Sequence, residues 1–420
     1  MRIRVAAIGA LSFLTSGVAA AAQTGDPGPA RPAPESTAPH IPAPKPEGGQ
    51  AAVDLSAVYT FDIWQNVRGG VRTGTRYLDN LDLTAKVDAE RAFGWRGATL
   101  FAYILHNNGV GMSRTLAGDF QGASNIETET RATRLYEAWV EQKFAADKAS
   151  VKLGLYDLNS EFDGQETGAL FVTSSHGIGP DFSQSGRNGP SIFPVTSLAV
   201  RADYQLPGGW VMRGAVLDGV PGDPDHPKLF AAIKLGHGDG VLLVGEVERE
   251  LGRSRAVVGY WRYTSRFDDI LATARSGTPV RGSGNAGFYM TVERRFVPID
   301  HQGDKGLRGW LRFGAANDRY NPLDYYLGGG LVYTGAFKGR NDDQIGIAFG
   351  RVHFGAPYRQ ALVIAGERSL PTELSIELTY RAVVSRWLTL QPDLQYVVNP
   401  GGRPDLRNAL LFGVRTQIGF

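Results

Sequence analysis

From Val53 to the end of the chain, apolar and polar residues alternate with a period of two, the repeat of a strand with two unlike faces. In VDLSAVYTFDIW, Leu55, Ala57, Tyr59, Phe61 and Ile63 share one face, while Asp54, Ser56, Thr60, Asp62 and Trp64 share the other. NLDLTAKVDAE repeats the split, with Leu81, Leu83, Ala85 and Val87 opposite Asn80, Asp82, Thr84, Lys86 and Asp88. LAVRADYQL places Arg201, Asp203 and Gln205 on its polar face, and LSIELTYR does the same with Ser375, Glu377, Thr379 and Arg381. The closing NALLFGVRTQIGF sets Arg415 and Gln417 against Leu410, Phe412, Val414, Ile418 and Phe420. In a soluble sandwich such charged faces meet water and the apolar faces meet a second sheet. In an outer-membrane barrel the apolar face meets lipid and the charged face lines a wet lumen.

Connection lengths separate the two. The pattern predicts sixteen strands, at 53–64, 76–90, 97–107, 133–144, 150–158, 197–206, 210–218, 241–249, 255–264, 286–296, 308–317, 325–335, 343–352, 373–382, 387–398 and 409–420. Short turns such as AFGWR, AADKA, PGG, GRS, KGRND and VVSR follow even-numbered strands, as does the longer VPIDHQGDKG. Long or Gly/Pro/Asn-rich links, including 108–132, 159–196, 265–285 and 353–372, follow odd ones. The apolar LFAAIKL at 229–235 would break this phase as a strand and is assigned to the loop 219–240. Alternating short turns and long loops are the signature of a transmembrane antiparallel β-barrel, all-β in class.

Composition fits that reading. Arg2 and Arg4 precede an apolar run ending in Ala20-Ala21-Ala22, the layout of a secretory signal peptide over residues 1–22. Residues 23–50 are rich in Pro, Ala and Gly, lack an apolar period, and read as a disordered arm whose plain role is a spacer and whose sharper one is a periplasmic contact. Residues 51–420 form the barrel domain. No later run approaches the ~18 to 20 apolar residues of a membrane helix. With no cysteine, neither a disulfide framework nor a lipidated cysteine can form. Removing Arg2 and Arg4 takes the formal charge from +2 to 0, so bulk charge gives no pull toward nucleic acid. The terminal Phe420, in phase with the apolar face, is the mark by which such barrels are recognised for insertion into outer-membrane lipid by the barrel-assembly machinery.

Several segments resemble the carbohydrate-selective porins of Gram-negative outer membranes, the OprB-type family. RLYEAWVEQKF at 134–144 resembles that family's fourth strand, and KLGLYDLNSEFD at 152–163 the segment entering its large inward loop. VTSSHGIGPDFSQSGRNGPSIFPVTSLAVRADY at 172–204 and LQPDLQYVVNPGGR at 390–403 continue the match. The resemblance implies a sixteen-stranded barrel in the outer membrane that passively admits mono- or oligosaccharides, with an eyelet made partly by the third external loop folded inward.

That loop, 159–196, carries Glu161, Phe162, Asp163, His176, Asp181, Phe182, Arg187 and Asn188 among many glycines. Carboxylates and guanidiniums across a narrow slot can exchange hydrogen bonds with sugar hydroxyls. On the strands, Glu137, Trp139 and Glu141 share the inward face, Arg131 and Arg134 lie at the outer end of the same strand, and Arg201 and Asp203 face inward from the next hairpin. Trp64, Trp139, Phe162 and Phe182 are the aromatic candidates to stack on a sugar's C–H face. The alternative is structural: Glu161 and Asp163 brace the loop, by pairing with Arg187 for example, and most Trp and Tyr form the interface girdle.

Catalysis is disfavoured. Two residues apart on an extended segment, Glu161 and Asp163 would point the same way about 7 Å apart, rather than flank a glycosidic bond from opposite sides. The histidines show no HExxH spacing, and GxSxG and P-loop motifs are absent, so neither a metal nor a cofactor is implied. The rivals to a sugar channel are a general or anion-preferring porin, a barrel enzyme, and a secreted soluble β protein.

Overall fold

The structure, a computed structural model, describes residues 51–298 and 305–420. The expected signal peptide and Pro-rich arm lie outside the described residues. The strands are β1 (Val53–Gly70), β2 (Gly74–Asp88), β3 (Ala98–Asn107), β4 (Ala132–Phe144), β5 (Ala149–Tyr156), β6 (Ser197–Leu206), β7 (Trp210–Asp218), β8 (Val241–Leu251), β9 (Ser254–Tyr263), β10 (Phe267–Asp268), β11 (Arg281–Gly282), β12 (Ala286–Pro298), β13 (Gly306–Ala316), β14 (Leu323–Thr334), β15 (Gln344–Phe354), β16 (Thr372–Ser385), β17 (Leu388–Val398) and β18 (Arg407–Gly419). All except β10 and β11, which pair with each other in a connection, close into one antiparallel barrel of sixteen strands.

Closure is made by β1 against β18, in register from Val58 opposite Gly419 to Gly70 opposite Arg407. Phe420 extends the seam by donating its N–H to Ala57 O at 2.9 Å. Each barrel strand pairs with a neighbour on both sides over its span, so the wall's ladder hydrogen bonds close without water, as a membrane-spanning sheet requires; the outer end of β4 is an exception, pairing with β5 only from Ala138.

Burial is inverted relative to a soluble protein. Leu55 is 71% exposed and Ile63 50%, whereas Thr60 and Asp62 are fully buried. The apolar row faces outward and the charged row inward, as the period-two pattern required. All sixteen predicted strands are present, and residues 229–235 lie outside any strand.

The differences lie at strand ends. The first odd-numbered link was expected over 65–75, but β1 and β2 continue until only 71–73 separates them. Register shifts at Asn66/Arg68 and Arg68/Gly70 absorb the glycine-rich run, and Asn66 Nδ2 donates to Gly69 O at 2.8 Å and Arg72 O at 2.9 Å. β2 stops at Asp88, not at residue 90, because its carboxylate accepts from the N–H groups of Glu90 and Arg91, both 3.1 Å, and starts helix α1 (Ala89–Phe93). Gly94, at φ 81°, ends that helix in the left-handed region.

The outward row predicts a directional cost. Leu311→Arg, on the lipid face of β13 beside inward Arg312, should destabilise the barrel by about 2–4 kcal/mol if it sits near the bilayer midplane, less toward either interface. Denaturant titration of refolded protein in liposomes, against Leu311→Ala, measures it.

Candidate functional site

The connection after β5, residues 157–196, is bound to inward side chains from much of the barrel. Buried backbone N–H groups outside a strand ladder need acceptors, and wall carboxylates supply them. Glu246 on β8 accepts from Asp163 N at 2.8 Å, and Glu293 on β12 accepts from Glu166 N and Thr167 N at 2.8 and 3.0 Å. Glu377 on β16 accepts from Val172 N and Thr173 N at 2.6 and 3.0 Å. The loop's carbonyls are met in turn, with Arg255 donating to Gly164 O at 2.9 Å and Gln391 to Leu170 O at 2.8 Å. Small residues on β15 make room for it: a Cβ on Gly346 would lie 2.8 Å from Leu170 Cδ2 and from Phe171 Cζ.

Within this loop Glu161 and Asp163 diverge. A 3₁₀ turn at Leu158–Ser160 begins with Asp157, whose carboxylate accepts from Asn159 N, and Asp163 sits at φ 54°. The extended segment expected from the sequence is therefore absent, and the two carboxylates do not share a face. Glu161 turns to β5 and β6, where Lys152 Nζ and Arg201 Nη2 each donate to Oε1 at 2.7 Å and Tyr156 OH donates to Oε2 at 2.8 Å. Burial alone would raise its pKa, but Lys152 and Arg201 hold it well below the usual carboxylate range. Asp163 turns to β13, where Arg312 binds it through Nε at 2.8 Å and Nη2 at 2.6 Å. The same guanidinium also grips Asp181, with Nη1 to Oδ1 at 2.6 Å. The bracing partners are thus Lys152, Arg201 and Arg312. Arg187, the partner suggested from sequence, instead donates to Asp239 Oδ1 at 3.3 Å and to the carbonyls of Gly238 and Arg266, half-exposed among outer connections.

Five candidates do come together, namely Trp139, Glu141, Glu161, Arg201 and Asp203. Arg201 donates to Glu141 at 2.7 Å and lies 3.2 Å from Asp203, while Ser150 Oγ sits 2.8 Å from Glu141 and 2.6 Å from Asp203. Lys152 Nζ stands 4.1 Å above the Trp139 ring, which stacks on Phe101 with centroids 4.9 Å apart. Glu137 is buried and accepts from Trp139 Nε1 at 3.1 Å, fixing the indole. Trp139 is half-buried, and the Glu141 and Asp203 side chains keep 15% exposure while Arg201 keeps 1%. The cluster therefore presents a half-buried indole, bracketed by Phe101 and Lys152, and two partly open carboxylates on a charge-compensated base.

Other candidates are placed elsewhere. Trp64 is buried against Leu78 and Met112, with Nε1 donating to Asp62 at 3.2 Å. Phe162 and Phe182 are fully buried, and Phe182 stacks on Trp261 at 5.2 Å with its plane 3° away. These three rings are core, and a passing solute cannot reach them. Arg131 is exposed, and Arg134 is buried at the outer end of β4, donating to Pro227 O at 3.0 Å.

Several site residues were not singled out from sequence: Lys152, Arg213, Glu246, Glu248, Arg255, Glu293 and Arg312. Arg213 donates to Glu246 at 2.8 Å and Glu248 at 2.9 Å, and Arg255 to Glu248 at 3.1 Å and Glu293 at 3.3 Å. Their signal was present as charged residues at inward positions of otherwise apolar strands, as in GEVERE and GWLRF.

The connection between β3 and β4 is fastened differently. Glu127 Oε2 accepts from Met112 N at 2.8 Å and Ser113 N at 3.0 Å, and Glu373 accepts from Phe120 N at 2.7 Å. Burial, then the neighbouring carboxylate, pushes both Asp119 and Glu127 up to about 7.

Comparison with known proteins agrees with this architecture. The model of the "Carbohydrate-selective porin, OprB family" matches residues 72–420. Porin B of Pseudomonas aeruginosa is 25% identical over 409 residues, covering 89% of this chain and 86% of its own. The putative porin QuiX of Acinetobacter baylyi is 20% identical over 390 residues, covering 84% and 86%. Among solved structures, the high-pH structure of Pseudomonas putida OprB superposes with a TM-score of 0.78 at 22% identity, over 88% of this chain and 94% of that one.

Two outcomes follow from the ion pairs. Arg312→Met should cost about 3–5 kcal/mol, because it strands Asp163 and Asp181 as buried uncompensated charges; restoring it by adding Asp163→Asn and Asp181→Asn should recover much of the loss, read as the unfolding midpoint in detergent. Second, Asp119 and Glu127 bind protons more tightly folded than unfolded, so the hold on residues 108–131 should weaken as pH rises from about 4 to about 7 and then level. Opening free energies from amide exchange, corrected for intrinsic rates, should fall over that window at Met112 and Ser113.

Proposed function

The chain belongs to the carbohydrate-selective porin family, passive sugar channels of the Gram-negative outer membrane, and from that premise we propose how its sugar path is built. Segment 157–196 folds into the lumen and narrows it, and the solute passes beside Trp139 and along the open side of the Glu141–Ser150–Asp203 cluster. Glu161, Asp163 and Arg312 do not touch the solute; they hold the segment against the wall. What carries this reading is the contrast in exposure within one cluster: Glu161 is buried and saturated by two cations, whereas Glu141 and Asp203 beside it remain partly open.

The chemistry suits a neutral polyol. The half-buried indole, bracketed by Phe101 and Lys152, offers its apolar edge to a pyranose C–H group, and the carboxylates accept from its hydroxyls. Arg201 and Lys152 balance two of the three charges on Glu141, Asp203 and Glu161, which leaves the slot at about one negative charge and without an anion preference. Passage requires weak binding, with affinity no better than roughly millimolar, about 4 kcal/mol. Phe420, 74% exposed beyond β18, supports the reading that its ring is the element offered to the assembly machinery.

Planar-bilayer recording tests the path. Glucose added to wild type should reduce channel current, and Trp139→Ala or Glu141→Gln should each weaken that block about three- to tenfold, the effect of one lost contact. Unchanged block in both variants, or strong anion selectivity without sugar block in wild type, would contradict the proposal.

A further inference from the structure

A cavity of ≈ 560 Å³ lies at the external end of the barrel, apart from the Trp139 cluster. It forms where β4 and β5 part company, since β4 is paired with β5 only from Ala138 onward and its outer end has a strand, β3, on one side alone. Other segments fill that edge: Leu135 N donates to Phe230 O at 2.6 Å, and the Thr196 hydroxyl donates to Tyr136 O. The result is a chamber walled by three external connections, with Gln184, Asn188, Phe193 and Phe230 among its lining. Its volume is in the ~300–1,000 Å³ range of small-molecule sites.

Arg134 lines this chamber and is 6% exposed. Its Nη2 donates to Pro227 O, but its buried Nη1 has no hydrogen-bond partner. Among the described residues no carboxylate pairs with it. The acids that line the same chamber are engaged elsewhere: Glu127 with Met112 N and Ser113 N, Glu129 with Arg114 at 3.0 Å, and Asp223 with Lys234 at 3.0 Å and His226 at 2.9 Å. A buried guanidinium without a counter-ion is costly, so the site is short of one anionic acceptor.

We propose that this chamber is an external binding site for a small acidic sugar, whose carboxylate occupies the free Nη1 of Arg134 while its hydroxyls donate to the side-chain oxygens of Gln184 and Asn188, whose amide nitrogens already donate to Phe120 O and Pro221 O. A carboxylate is favoured over a hydroxyl because an ionised acceptor roughly doubles the strength of such a bond. The inference goes beyond the sugar path described above and rests on a different set of residues.

Equilibrium dialysis of full-length protein in detergent, with radiolabelled glucuronate as the probe, tests it. Wild type should bind glucuronate saturably and about tenfold or more tightly than glucose, with gluconate competing. Arg134→Gln should lose that preference and Arg134→Lys should keep part of it. Absence of saturable glucuronate binding to wild type, or a preference that survives in Arg134→Gln protein of normal heat-modifiable gel mobility, would overturn the proposal. If Arg134→Gln does not fold, the wild-type competition still decides, because equal competition by glucose and gluconate would also overturn it. Failure of glucose to block wild-type current would count against the sugar path and leave this result standing.

Discussion

One constraint runs through the connections of this barrel: a buried non-strand segment that meets inward strand side chains must find partners for its backbone N–H groups. Glu246, Glu293 and Glu377 meet that need for residues 163–173, and Glu373 and Glu127 do so for residues 112–121. Such carboxylates are costly to bury, and for part of them the wall supplies cations. Arg213 and Arg255 answer Glu246, Glu248 and Glu293, and Arg312 answers the loop's own Asp163 and Asp181. The inward charged row is therefore first a scaffold, and only where a member stays partly open can it also meet solute.

That division explains which parts of the molecule could be read from the chain. Strand positions were legible because lipid outside and charge inside impose a strict period of two, which local residues such as Leu311 and Arg312 report directly. Strand ends were less so, because capping decides them: Asp88 turns its own strand into a helix, and Asn66 keeps a glycine-rich run paired. Neither effect appears in hydrophobic alternation.

The site was legible by parity and opaque by depth. Trp139, Glu141, Arg201 and Asp203 were placed on the inward face and do converge. Trp64 obeys the same parity, yet it is buried in one apolar cluster with the connection residues Met112, Leu116 and Ile126. Likewise the role of Glu161 and Asp163 turned on Lys152 and Arg312, one on a neighbouring strand and the other well over a hundred residues away. Their short spacing in sequence suggested a pair, but the left-handed residue at 163 sends them to different walls.

The central claim is that residues 157–196 lie inside the barrel against β15 while the channel conducts. Because the natural chain has no cysteine, a pair introduced as Leu170→Cys and Gly346→Cys reports on that contact alone. A Cβ at 346 would lie 2.8 Å from Leu170 Cδ2, which puts the two side chains in direct contact. The account predicts a disulfide in the folded protein, seen as a mobility shift without reductant, and single-channel current unchanged by reducing it. A folded, sugar-blocked channel in which these two cysteines stay free would contradict it.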